Sequence, residues 1–161
     1  MVAVMNNKLS ERILLSAFVA VGYIGTAISA VSAQPIAETR DITGTQVVEL
    51  DNDQFLIQGG STSSDGANLF HGFEQFDLSS QQTATFLNSN AVNNIFSRIS
   101  GGQLSFIDGT IQTLQGNPNL YFVNPAGIIF GENATLNVLG DFVASSATAI
   151  GFDRAPQQQR P

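Results

Sequence analysis

The sequence contains no cysteine and no tryptophan, and it has a single histidine, His71. Without cysteine the chain can form neither a disulfide framework nor a thiolate metal site. One histidine alone argues against an imidazole-based metal centre, so we expect no metal, no cofactor and no catalytic residue. The fold must therefore be held together by side-chain packing and backbone hydrogen bonds.

Basic residues are also scarce. Thirteen acidic residues stand against six lysines and arginines, which gives a net charge of −7. From residue 34 onward there is no lysine, and the only arginines are Arg40, Arg98, Arg154 and Arg160. An acidic surface repels phosphate backbones, so we expect no nucleic-acid partner.

The first 33 residues have the three-part layout of a secretory signal peptide. A polar stretch that carries Lys8 and Arg12 precedes an apolar run over residues 13–28. This run of about 16 residues is shorter than the roughly 20 residues that a membrane-spanning helix needs. The pattern predicts that the chain leaves the cytoplasm through the general export machinery.

The residues that follow the apolar run predict where the signal peptide is cut. Val31-Ser32-Ala33 forms a small-x-small site, and we expect cleavage between Ala33 and Gln34. Cleavage after Ala30 and an uncleaved amino-terminal anchor are the alternatives.

Short apolar segments, separated by Gly, Asn, Asp or Pro, make up the rest of the chain. Apolar and polar residues alternate in several of them, for example in residues 107–112 and 134–138. Such a period of two, interrupted by turn residues, predicts many short strands and an all-β fold. Residues 82–99 are the only stretch that could hold a helix of any length, and their asparagines argue against one.

Two all-β architectures fit this pattern. Sandwiches and barrels favour hairpins with Asn-Gly or Asp-Gly turns, and here only Asp65-Gly66 and Asp108-Gly109 occur. The many Asn, Gly and Ser residues beside strands suit a solenoid, where equivalent turn residues stack from coil to coil. No strict internal repeat is visible, so periodicity alone leaves both architectures open.

A proline turn lies between the apolar runs "NLYFV" and "GIIFG". Proline fixes φ and glycine allows unusual backbone angles, so Asn124-Pro125-Ala126-Gly127 predicts a sharp reversal of the chain. The Asn124 side chain can pair with backbone groups that the turn leaves free. We therefore favour a structural role for Asn124 over direct contact with a partner.

Four further residue types receive structural interpretations. Arg98 is the only basic residue between Arg40 and Arg154, so we expect it to form an ion pair with Asp108 or Glu74. We expect His71 to be packed in the interior, and the acidic residues to lie in solvated turns. The core should also contain three phenylalanines, Phe70, Phe73 and Phe76.

Three stretches together resemble one known family. They are "NLFHGFEQFDL" at 68–78, "NIFSRISGGQLSFIDGTIQT" at 94–113 and "NLYFVNPAGIIFGENATLNVLGDFVASSA" at 119–147. Their order resembles the amino-terminal domain of filamentous-haemagglutinin-like exoproteins, also called the two-partner secretion or haemagglutination activity domain. The likeness covers roughly residues 45–151 and is strongest to cyanobacterial members.

The resemblance implies a right-handed parallel β-helix with capping strands at its amino end. Coils of on the order of 20 residues, with strands about 4.8 Å apart, would give about five coils. With the signal peptide at 1–33 and the polar, proline-bearing tail at 154–161, the two-partner secretion domain would occupy residues 34–153. The Asn-Pro turn would connect one coil to the next. The family's usual turn is Asn-Pro-Asn-Gly, from which Ala126 departs.

For function, the resemblance implies passage across the outer membrane of a Gram-negative envelope, to the medium or the cell surface. The domain would leave the export channel unfolded, be recognised by the POTRA domains of a dedicated outer-membrane β-barrel transporter, and fold outside. Asn124, Pro125, Gly127 and Arg98 are the candidates for a motif that serves transporter recognition or folding.

Two other functions remain open. The domain could be a glycan-binding adhesin itself, although the resemblance places host-surface or glycan binding mostly in a long region beyond it. It could also be a β-helix enzyme that acts on polysaccharides. Lyase chemistry needs a base beside a uronate, and this chain offers few basic residues for that role. We therefore expect a non-enzymatic domain.

Overall fold

The computed structural model describes residues 35–39, 43–51 and 53–148, and these residues contain β-strands and no helix. In chain order the strands are β1 (Ile36–Glu38), β2 (Thr45–Asp51), β3 (Gln54–Gly59), β4 (Ser61–Thr62), β5 (Asn68–Phe76), β6 (Thr83–Phe86), β7 (Asn94–Ile99), β8 (Ser105–Ile107), β9 (Thr110–Thr113), β10 (Asn119–Val123), β11 (Ile128–Phe130), β12 (Thr135–Asn137) and β13 (Phe142–Ser145). The all-β prediction is confirmed, and residues 82–99 hold β6 and β7 where a helix was conceivable. Within this part of the chain, nothing helical reaches the length and apolarity of a membrane span.

The signal peptide, its cleavage between Ala33 and Gln34, and the polar tail at 154–161 lie outside the described residues. These three assignments, and the domain boundaries drawn from them, stay predictions.

Three sheets form the faces of a parallel β-helix. Face A contains β5, β7, β10 and β13, face B contains β3, β6, β9 and β12, and face C contains β8 and β11. Neighbouring strands within each of these sets are parallel and in continuous register. The chain visits face B, then face A, then face C, and returns to face B one coil further along. The result is a solenoid of about four coils.

Each coil is longer than the sequence analysis predicted. The equivalent residues Asn68 and Asn94 are 26 positions apart, and Asn94 and Asn119 are 25 apart. The prediction of on the order of 20 residues per coil is therefore wrong, and with it the prediction of five coils. A coil here needs segments on three faces and three corners, and the corners take up the additional residues.

Antiparallel strands close the amino end of the solenoid. β2 pairs with β3 at the edge of face B, while β1 and β4 both pair with β5 at the edge of face A. The backbone groups of the first coil therefore find partners and do not form an open sheet edge. The predicted capping strands are confirmed.

The core consists of side chains that point into the coils. Phe73, Phe76, Phe86 and Phe122 are fully buried, and Phe76 packs edge-to-face on Phe122 with ring centroids 4.8 Å apart. Burying one such ring stabilises the fold by about 1.5–3 kcal/mol. Burial of Phe73 and Phe76 confirms two of the three predicted core phenylalanines.

Phe70 contradicts that prediction, because it is 38% exposed. Side chains alternate along a strand, and the neighbours Leu69 and His71 both point inward. Phe70 therefore points outward on face A and stacks on Phe96, with centroids 5.2 Å apart.

A ladder of asparagines marks the start of three of the four strands on face A, β5, β7 and β10. The Nδ2 of Asn94 donates to the Oδ1 of Asn68 at 2.9 Å, and that of Asn119 donates to the Oδ1 of Asn94 at 3.0 Å. The backbone nitrogen of Asp141 donates to the Oδ1 of Asn119 at 2.9 Å and ends the ladder. An amide carries both a donor and an acceptor, so identical amides can stack indefinitely. The ladder fixes the register of successive coils.

Candidate functional site

The corner formed by residues 124–127 connects β10 on face A with β11 on face C. It therefore joins two faces of one coil, and the prediction that it connects one coil to the next is wrong. The nitrogen of Gly127 donates to the carbonyl of Asn124 at 3.0 Å, which closes a four-residue turn around Pro125. Gly127 has φ of 118°, a value that glycine adopts far more readily than other residues.

The side chain of Asn124 is buried inside this corner, with 1% of its surface exposed. Its Nδ2 donates to the carbonyl of Gln103 at 2.9 Å and to the Oγ of Ser105 at 3.0 Å. Its Oδ1 accepts from the nitrogen of Ala126 at 2.9 Å. Both amide hydrogens and the oxygen are thus engaged within the protein. In the folded domain the side chain has no donor left for a partner.

Asn124 also connects its coil to both neighbouring coils. The Nδ2 contacts reach the preceding coil, just before and at the start of β8. In the other direction, the backbone nitrogen of Asn124 donates to the carbonyl of Ser145, the last residue of β13. Asn124 therefore links its own coil to the coil before it and to the coil after it.

The outer surface of the corner consists of Pro125 and Ala126, which are both exposed. Ala126 stands where the family's usual corner has a second asparagine. Because this position faces solvent, an alanine there leaves no internal group without a partner. The corner divides accordingly: of the predicted motif residues, Asn124 and Gly127 shape the backbone, whereas Pro125, together with Ala126, forms the exposed surface.

Arg98 does not form the predicted ion pair. It points outward from β7, and its guanidinium donates to the carbonyl of Thr148, 50 residues further along the chain. Neither candidate carboxylate contacts it: Glu74 accepts from the Oγ1 of Thr39, and Asp108 accepts from Asn133. Alternation along β7 explains the error, since Ser97 and Ile99 are the inward neighbours.

The contact with Thr148 crosses a whole coil. In register, Arg98 lies beside Val123 of β10, and Val123 lies beside Ser145 of β13. Val123 is in this outward row, yet it is only 6% exposed. The long aliphatic stem of an arginine can cover apolar surface while its head bonds elsewhere. We infer that Arg98 connects the second coil to the turn after β13.

Replacing Arg98 with alanine should therefore weaken the fourth coil, at a cost of about 1 kcal/mol for one exposed charge-assisted hydrogen bond. The reporter is the amide of Asn124, which donates to Ser145 and should exchange with deuterium faster in the variant. Arg98→Lys keeps the aliphatic stem and the charge but not the planar donor group. The exchange rate of the Asn124 amide in this variant should therefore lie between those of the wild type and Arg98→Ala. Unchanged exchange in Arg98→Ala would rule out this role.

His71 is packed in the core, as predicted, and it is 2% exposed. Its ring lies edge-on to Phe86 with centroids 5.6 Å apart, and its Nδ1 is 3.3 Å from the Oγ1 of Thr45. The Nε2 is buried with no hydrogen-bond partner among the described residues. Burial lowers the pKa of His71 to about 4. No group of three or more metal-binding side chains occurs in the described ranges.

Two acidic residues of the turns have specific partners. Asp65 accepts from the Oγ of Ser63 at 2.5 Å and from the nitrogen of Ala67 at 3.0 Å. Asp108 accepts from both the side chain and the backbone of Asn133. These hydrogen bonds hold the pKa of each carboxyl below its usual value. The interpretation as turn residues therefore fits both.

A row of stacked aromatic rings on the outside of face A was not predicted from the sequence. Phe96 stacks on Phe70 at 5.2 Å and on Tyr121 at 4.8 Å. Each ring follows a ladder asparagine by two positions. This shared spacing is the feature of the sequence from which the row could have been predicted. Because both faces of the Phe96 ring are covered, this ring offers no free face on which a sugar could stack.

A family model described as the TPS secretion domain matches residues 33–160. The match covers 128 of the 161 residues and includes the corner, the asparagine ladder and Arg98. A comparison with curated proteins finds no match.

Proposed function

Because the chain belongs to the TPS secretion domain family, we propose that POTRA domains of an outer-membrane β-barrel transporter recognise it and that it nucleates folding outside the cell. Membership of this family makes the chain the secretion-targeting domain of a two-partner-secretion exoprotein. It also makes a two-partner secretion transporter its partner and the exterior of the cell its destination.

The difference between the two ends of the solenoid supports the proposed folding role. Antiparallel strands cover the amino end, whereas β11, β12 and β13 pair on one side only within the described residues. Interior positions at this end are partly open, and Phe130 and Leu136 are 41% and 44% exposed. A parallel strand edge over an apolar interior is a template on which another coil can stack. Growth in one direction suits a chain in which this domain folds first and the following coils are added to it.

Recognition through Asn124 would have to use the chain before it folds. Asn124 is buried in the folded domain and its amide is fully bonded, so a partner can reach it only in the unfolded chain. We therefore propose that Asn124, Pro125, Gly127 and Arg98 contribute first to recognition of the unfolded chain and afterwards to the folded structure. Unfolded backbone can add to a sheet edge of a partner, a common mode of peptide recognition.

We also propose that adhesion belongs to a region of the exoprotein beyond this domain. The domain itself is proposed to have no catalytic activity. The polysaccharide-acting enzyme is the weaker alternative. The described residues offer a buried histidine and one outward arginine where a β-elimination needs an accessible base. Incubation with polygalacturonate, followed by detection of unsaturated products, tests this alternative.

Binding to isolated POTRA domains tests the recognition step. Residues 34–161 should bind the purified POTRA domains of their cognate two-partner secretion transporter when they are freshly diluted from urea. The same chain, folded beforehand, should bind at least about tenfold more weakly, because Asn124 is buried in the folded domain. Equal binding by both forms would place recognition on the folded surface, and absence of binding by either would contradict the proposal.

A further inference from the structure

Face C is incomplete at the first coil, and a cleft of about 390 Å³ lies beside the gap. β8 pairs with β11 on one side, but on the other side only Leu78 forms a bridge, to Ile107. The nitrogen of Phe106 donates to the Oδ1 of Asp77 at 2.7 Å, so a side chain replaces the missing strand carbonyl. The absent strand leaves a concave surface between residues 77–82 and β8.

The cleft combines an exposed aromatic ring with polar side chains. Phe106 is 45% exposed and makes no ring contact with another aromatic residue in the described part of the chain. The polar lining residues are Asp77, Ser79, Ser80, Gln82 and Asp108. None of the described lining residues is basic. The volume is near the lower end of the range of about 300–1,000 Å³ that is typical of small-molecule sites.

The two carboxylates keep capacity to accept further hydrogen bonds. Asp77 accepts from the nitrogen of Phe106 and from the Nε2 of Gln75, and Asp108 accepts twice from Asn133. An ionised carboxylate has about four acceptor positions, so each retains about two. Asp108 is held in its ionised form by Asn133, whose hydrogen bonds lower the pKa of the carboxyl.

We propose that this cleft binds a neutral saccharide, of which one hexose or N-acetylhexosamine unit lies on the ring of Phe106 and donates hydroxyl hydrogens to Asp77 and Asp108. An aromatic ring supplies apolar contact for the C–H face of a sugar, and hydrogen bonds to ionised acceptors are the strong ones. Uronates, sialic acids and sulfated sugars are disfavoured, because two carboxylates without a basic neighbour repel them. The site gives the folded domain a ligand of its own, independent of its secretion.

Backbone amide shifts in ¹H–¹⁵N NMR spectra of residues 34–161 test this site. The neutral probes are cellotriose, mannotriose and triacetylchitotriose, and the acidic probes are 3′-sialyllactose and a heparin-derived hexasaccharide. At least one neutral probe at millimolar concentration should shift amides of residues 77–82 and 106–108. The three neutral probes distinguish a glucan, a mannan and a chitin-type source.

Two variants localise the binding. Phe106→Ala should weaken it at least tenfold, whereas Phe96→Ala removes an aromatic ring on face A and should leave it unchanged. If Phe106→Ala fails to fold, Phe106→Leu keeps apolar volume without a ring and should show the same loss.

Absence of shifts with all three neutral probes overturns the proposal, as does binding of the acidic probes alone. Undiminished binding by a folded Phe106 variant overturns it too. Secretion plays no part in this measurement, so its failure leaves the proposed secretion function untouched.

Discussion

Replacing Asn124 with alanine is expected to lower the free energy of unfolding by about 3 kcal/mol. The change removes the donors to the Gln103 carbonyl and the Ser105 Oγ, and the acceptor for the Ala126 nitrogen. The site is buried, so water cannot fully replace these partners, and an unpaired buried polar group costs about 1–3 kcal/mol. Urea unfolding of residues 34–161, followed by far-ultraviolet circular dichroism, measures the loss as a lower midpoint at an unchanged slope.

Ala126→Asn is the matched control for this experiment. It changes the exposed position of the same corner to the residue that is usual in the family, and it should alter stability by less than about 0.5 kcal/mol. A loss in Asn124→Ala no larger than that of the control would contradict the structural role of the corner.

Acidification is expected to destabilise the domain through His71. The folded protein holds the ring neutral, with a pKa of about 4, whereas the unfolded chain binds a proton below the ordinary value of 6.5. Below about pH 6.5 the unfolded state therefore takes up more protons, and stability falls until the folded state also titrates near pH 4. The shift corresponds to about 3 kcal/mol lost across this window.

Enclosure of the ring explains why protonation is unfavourable. Thr45 contacts the Nδ1, and the Nε2 has no hydrogen-bond partner among the described residues, so a second N–H would be buried without an acceptor. Gly60 lies so close that a Cβ there would be 2.9 Å from the Cε1 of His71. Burial alone accounts for the lowered pKa, without a contribution from a neighbouring charge.

The comparison of wild type with His71→Gln isolates this effect from the carboxylates, which also titrate in acid. The free energy of unfolding, measured in urea between about pH 7 and pH 4, should fall more steeply in the wild type than in the variant. Parallel curves for the two proteins would show that His71 carries no such dependence.

The sequence predicted the strands and the sharp turn at Asn124, because period-two alternation and proline chemistry are local properties. The length of a coil was not predictable in the same way. Successive coils need to match only where side chains stack, as at Asn68, Asn94 and Asn119, and their corners can differ freely. A repeat that is confined to a few positions is hard to recognise without knowing the register.

The same limit explains the errors at Phe70 and Arg98. Whether a side chain points inward depends on its parity within a strand, and the sequence did not fix where each strand begins. The spacing of three between Phe70, Phe73 and Phe76 suggested a common face, but β5 contains a register irregularity opposite β1 that breaks simple alternation. Likewise, the cleft beside Phe106 arises from a strand that is missing in the neighbouring coil, which no local pattern could reveal.

Cell fractionation tests the central claim most directly. The chain of residues 1–161 is produced in a Gram-negative host, once with its outer-membrane transporter and once with a transporter that lacks the POTRA domains. A secretion-targeting domain should be found in the medium or on the cell surface in the first case and in the periplasm in the second. A chain that stays periplasmic beside the intact transporter, or reaches the medium without the POTRA domains, would contradict the proposed function.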